Sequence, residues 1–197
     1  LFNWFKNVSM IRPHLQVRMP SFDYNDEEWN DLISYFQQKD NLDLIYEDPH
    51  NFTLNSSSFK AGERIAEMGA CINFHFYGEE KPKQDALTWA PNLVLTKERL
   101  RPEWLVEWFI NPQDVMPGTK MPAPYIPTEE PQNSIREVWG SDVAKISRDS
   151  TKLYKSLIDW MWGMEGRKDV SSIVKRHLNS QGYGFIIEEE DDWGDEW

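Results

Sequence analysis

Apolar residues recur at helical spacing in four stretches of the chain, and polar or proline-rich segments separate them. Trp29, Leu32, Ile33, Tyr35 and Phe36 keep one face of a helix capped by Asn25 or Asp26, with Asp26, Glu27 and Glu28 at its positive end. Ile65 and Met68 mark a second helix from Phe59 to about Met68, with Gly62 and Gly69 at its margins. Arg101-Pro102-Glu103 opens a third, which carries Trp104, Leu105, Trp108 and Phe109 and stops at Asn111-Pro112. Leu153, Leu157, Trp160 and Met161 form one buried stripe on a fourth, over roughly Ser150 to Trp162. The expected fold class is mainly α.

The segments between are equally readable. Residues 40–58 contain Asn41, Asp43, Pro49, Asn51, Asn55 and Ser56-Ser57-Ser58, a linker composition. Gly78 to Thr88 reads as a polar loop, and Trp89-Ala90-Pro91-Asn92-Leu93 as a turn with apolar anchors. Pro122, Pro124, Pro127 and Pro131 hold the chain extended.

Composition narrows the class. With 197 residues, 40% of them hydrophobic and 14% aromatic, the chain can bury one ordinary core and part of a second. Its longest apolar runs, such as Leu105 to Ile110, fall far short of the roughly 20 residues a membrane span needs. The sequence has no feature of a signal peptide at Leu1, and without an initiating Met it reads as a mature or truncated chain. A net charge of −12 argues against nucleic-acid binding and favours a basic partner. One cysteine excludes an internal disulfide framework and any multi-cysteine zinc or iron–sulfur site.

That cysteine, Cys71, stands four residues before His75, so on a helix the two side chains would share a face. Downstream, Pro117-Gly118-Thr119-Lys120-Met121-Pro122 reads as a loop that presents a thioether between two prolines. One imidazole and one thioether are an axial pair that haem iron accepts. His50 and His177 stand in polar contexts and read as solvated side chains. Trp104, Trp108 and Trp160 fall at helical spacing and read as core or pocket lining.

A repeat is visible as well. Leu1-Phe2-Asn3-Trp4-Phe5-Lys6-Asn7 parallels Leu105-Val106-Glu107-Trp108-Phe109-Ile110-Asn111, and Val17-Arg18-Met19-Pro20 parallels Gly118-Thr119-Lys120-Met121-Pro122. The first copy has its methionine segment and closing helix but no cysteine–histidine segment.

In the order and spacing of these elements, residues 59–163 resemble a class I c-type cytochrome domain, and residues 1–39 resemble the C-terminal half of another. Residues 40–58 would link them, and residues 164–197 form an acidic C-terminal extension that matches neither. The resemblance implies a covalent haem c held through Cys71, with His75 and Met121 as iron ligands. It also implies that the Pro91 carbonyl accepts the proton on the far nitrogen of His75, and that Arg99 and Arg101 lie near the haem propionates. Met19 would ligate the iron of a second haem supplied from elsewhere. The sequence departs from the family at Phe74, where a second cysteine is expected, so a single thioether would tether the cofactor.

With both axial positions filled, the implied function is one-electron transfer and not enzymatic turnover. The chain would be a domain or subunit of a multihaem or respiratory assembly in the periplasm or another extracytoplasmic space, working with redox partner proteins. The alternative from the same residues is a haem-free, degenerate cytochrome fold that serves as a structural or docking module. The run from Glu188 to Trp197 reads as a solvated tail whose tryptophans could anchor it to a basic partner.

Overall fold

The structure, a computed structural model, describes residues 5–6, 20–41 and 50–182. In chain order its helices are α1 (Asp26–Lys39), α2 (Ser57–Met68), α3 (Thr96–Arg99), α4 (Pro102–Ile110), α5 (Pro112–Val115), α6 (Gln132–Val138), α7 (Ser141–Ile146), α8 (Ser150–Trp162) and α9 (Ser171–Ser180). The chain is mainly helical, and among the described residues the only extended pairings are the isolated bridges His75–Ala90 and Tyr77–Glu80.

Helix α1 starts at a capping box. The Asn25 side chain accepts the amides of Glu27 and Glu28, and the Glu28 carboxylate accepts the Asn25 amide at 2.9 Å. Its apolar face centres on Trp29, which stacks on Phe5 at 5.0 Å and meets the edge of Tyr24. Met19 lies outside the described residues, as do residues 1–4 and 7–18 of the first repeat copy and the tail after residue 182.

The main core forms where α2 crosses α8, with α7 and α4 packed beside them. Gly62 makes that crossing possible: a Cβ there would lie 1.8 Å from the Ser156 carbonyl oxygen. The two backbones therefore touch, with Ile65 and Ala66 facing Leu157 and Ile158 in one buried cluster. Ser56 caps α2 by accepting the Phe59 amide, so this helix begins at Ser57, earlier than apolar spacing alone suggests. Asp149 caps α8 in the same way through the Lys152 amide.

Two expectations change. His50 is not a solvated side chain: its Nε2 lies 2.7 Å from Asp159 Oδ1 on α8, both side chains are 12% exposed, and its ring meets the edge of Trp162. His177 packs against Trp89 with ring centroids 4.8 Å apart. Polar neighbours in sequence gave no sign of either contact, because both partners are distant along the chain. The structure also adds helices α6, α7 and α9. Val170 and, on helix α9 just after it, Val174 and Leu178 pack against Phe76 and Trp89 in a second cluster. No helix among the described residues is long and apolar enough to cross a membrane.

Candidate functional site

Helix α2 ends at Gly69, and the chain then turns through Ala70 in the left-handed region, φ +55° and ψ +32°. This turn replaces the continuous helix on which Cys71 and His75 would share a face. Cys71–Asn73 form a single 3-10 turn, and the His75 amide closes back on the Cys71 carbonyl at 2.9 Å. His75 then enters an extended pairing with residues 90–93: the Ala90 amide donates to the Phe74 carbonyl at 2.7 Å and the Leu93 amide to the Phe76 carbonyl at 2.9 Å.

This pairing sets the imidazole. Nδ1 of His75 lies 2.8 Å from the Pro91 carbonyl oxygen. A carbonyl can only accept, so Nδ1 carries the proton and the lone pair of the neutral ring is on Nε2. Such a bond fixes both the tautomer and the ring orientation of a metal-binding histidine and raises its basicity. Pro91 suits the position because, in place of an N–H, it brings a fixed φ and a carbonyl.

Asn92 fastens this turn from behind. Its buried side chain accepts the amides of Gly78 and Val94 through Oδ1 and donates through Nδ2 to the Arg167 carbonyl at 2.9 Å and the Lys168 carbonyl at 3.2 Å.

Met121 sits on a loop closed by α5. The Gln113 carboxamide accepts the Gly118 amide at 3.2 Å and donates to the Thr119 carbonyl. Gly118 has φ +86°, which this turn requires and glycine adopts without strain. The Met121 sulfur accepts the Trp108 indole N–H at 2.9 Å, and Trp108 stacks on Trp104 one helical turn back with ring centroids 5.0 Å apart.

Cys71 and Met121 are each half-buried and each pack against the main core cluster, as do Trp104 and Trp108. Burial pushes the Cys71 thiol up to about 11, so it is a protonated, unreactive thiol at neutral pH. Phe74 is 41% exposed and is therefore no core filler. Arg99 ends α3, and Arg101 precedes Pro102 at the start of α4. Desolvation draws the Arg99 guanidinium downward and Glu98 opposes it; the group remains cationic.

The structure thus brings His75 to Pro91 and Met121 to Trp108. It adds Asn92, Gln113 and Trp108 as supports for the two candidate ligands. Asn92 and Gln113 act through contacts too distant, or through loops too irregular, for periodicity to flag. Trp108 does stand at helical spacing, but spacing could not show that its N–H reaches a sulfur. Among the described residues, no three or more His, Cys, Asp or Glu side chains converge to hold a metal ion. The chain matches no protein-family model, no curated protein and no solved structure.

Proposed function

We propose that the chain is an electron-transfer protein that carries one haem c, with His75 Nε2 and Met121 Sδ as axial ligands and Cys71 Sγ as its single thioether link. The observation that carries this reading is the 2.8 Å contact between His75 Nδ1 and the Pro91 carbonyl, because it fixes the tautomer with the basic lone pair on Nε2. One imidazole and one thioether leave an ion short of ligands, a haem macrocycle would supply four more, and haem iron accepts this pair. When bound, the haem supplies a one-electron couple.

The protein's part is positional and electrostatic. His75 is fixed in one tautomer, Met121 is held on a loop clamped by Gln113, and Trp108, stacked on Trp104, donates its N–H to the sulfur. With His75 and Met121 both holding the iron, no position would remain for a substrate, so the proposed role is that of a carrier or an electron-transfer subunit and not an enzyme. Arg99 and Arg101 are the cations available to the propionates. Covalent attachment of haem c implies an extracytoplasmic site such as the periplasm. The net charge of −12 suits a basic redox partner or a neighbouring subunit. A second haem near Met19 would need ligands supplied from elsewhere.

The visible spectrum of the native protein, with its pyridine haemochrome, tests the reading. A Soret band that resists acid–acetone extraction is expected, and Met121→Ala should open the sixth position and lower the potential. A colourless native protein would leave the haem-free docking module, which the protonated Cys71 thiol and the Trp108–Met121 contact favour as simple packing.

A further inference from the structure

The turn that carries His75 is held by a part of the chain lying beyond the cytochrome-like residues 59–163. Three sets of contacts converge there. Asn92 Nδ2 donates to the carbonyls of Arg167 and Lys168, while its Oδ1 accepts the amides of Gly78 and Val94. Gly78 lies beside Gly166 and Arg167, where a Cβ on it would stand in ordinary van der Waals contact, 3.6 Å from the Arg167 amide nitrogen. Helix α9 buries Val174 completely against Phe76 and Trp89, the residues directly following His75 and directly preceding Ala90. The Trp89 ring is enclosed on three fronts: edge-on to Phe76 at 5.1 Å, against His177 at 4.8 Å, and through its N–H to the Gln84 carbonyl at 2.9 Å.

The pairing that presents His75 to Pro91 is therefore sandwiched into a small second core, whose other wall is residues 166–178. Phe74 gives this turn little support from its own side, being 41% exposed. In a haem site with one thioether, the histidine segment has one covalent link fewer to hold it at the iron. Its geometry must then come from packing.

We propose that residues 166–178 are a positioning brace for His75, with Val174, Trp89 and Asn92 as its contact points, and that this brace supplies by packing the constraint that a second thioether would give. The inference rests on the haem reading above. Val174 and Trp89 act on His75 only through the 74–76 and 89–92 backbone.

The test uses the full chain. Val174→Ala thins the second core, and amide hydrogen exchange reads the result. Protection at Ala90 and Leu93 should fall about tenfold or more, while amides within α2 and α8 stay unchanged, since local openings report the contacts holding each segment. Val174→Asp repeats the measurement with a larger perturbation, and unchanged α2 and α8 amides show that the main core is still folded.

In the haem-loaded protein, Val174→Ala should shift the reduction potential and increase haem loss in the Phe74 background. It should do neither in the Phe74→Cys background, where a second thioether replaces the brace. A purely structural role would give equal shifts in both backgrounds. If Ala90 and Leu93 keep their protection in both Val174 variants while the wild type carries haem, the brace is wrong and the haem reading stands. If the wild type shows no Soret band, the haem reading fails and the compensating role fails with it.

Discussion

Trp108 donates its indole N–H to the sulfur of Met121 at 2.9 Å, so the thioether is already held in place by a neighbour on α4. Under the haem reading this bond does more than position. It withdraws electron density from a sulfur whose donation stabilises oxidised iron more than reduced iron, and it therefore raises the potential. Trp108→Phe keeps the stacking surface for Trp104 and removes the donor. With a hydrogen bond worth about 1 kcal/mol, the potential should fall by up to about 40 mV, the limit reached if the oxidised state forfeits the whole bond. Voltammetry of the two proteins checks this, and an unchanged value would show that the bond does not persist beside the iron.

Cys71 gives a prediction that needs no cofactor. Its thiol is pushed up by burial from an ordinary 9.0 to about 11. Two pH units leave about a hundredfold less thiolate at neutral pH than an exposed cysteine has. Alkylation of the haem-free protein by iodoacetamide should be slow at pH 7 and should rise about tenfold per pH unit, levelling only near pH 11. A plateau near pH 8 or 9 would mean that Cys71 is solvated. In the haem-loaded protein no thiol should remain to react.

The Gly62 crossing fixes the main core independently of any haem. In Gly62→Ala, the new methyl would lie 1.8 Å from the Ser156 carbonyl oxygen and 2.4 Å from its carbon, and backbone atoms cannot rotate away as a side chain can. The helices must separate, with Ile65, Leu157 and Ile158 losing contact. A loss of about 3 kcal/mol is expected, the upper end for overpacking, and urea denaturation measures it. A variant as stable as the wild type would show that α2 and α8 do not touch at this point.

What could be read in the sequence follows a physical division. Helices α1, α4 and α8 were legible because Trp29 with Leu32, Ile33 and Phe36, Trp104 with Trp108, and Leu153 with Leu157 keep helical spacing, with side-chain caps at Asn25 and Asp149 and with Pro102 opening α4. The short α6 and α7 were not, since seven and six residues hold too few apolar positions to show a period. The candidate ligands His75 and Met121 could be named from residue type and loop chemistry. Their supports could not. Asp159 beside His50, Asn92 beneath residues 166–168 and His177 on Trp89 are pairs distant in sequence, and only folding brings them together. The repeat pointed to Met19, which lies outside the described residues.

Ala70 sits at the hinge between α2 and the Cys71 turn, and its backbone tests whether that turn is under strain. At φ +55° an alanine Cβ crowds its own carbonyl, at a cost of roughly 1 kcal/mol that glycine does not incur. Gly69, one residue earlier, has φ −74° and so takes no advantage of its own freedom. Ala70→Gly should therefore stabilise the protein, by less than about 1 kcal/mol because glycine also gains entropy in the unfolded chain. Ala70→Val should cost at least about 1 kcal/mol, since a β-branched side chain tolerates this region worst. Urea midpoints of the two variants should fall on opposite sides of the wild type. If both are destabilised, or if valine is tolerated, the left-handed turn at residue 70 is not what starts the segment leading to His75.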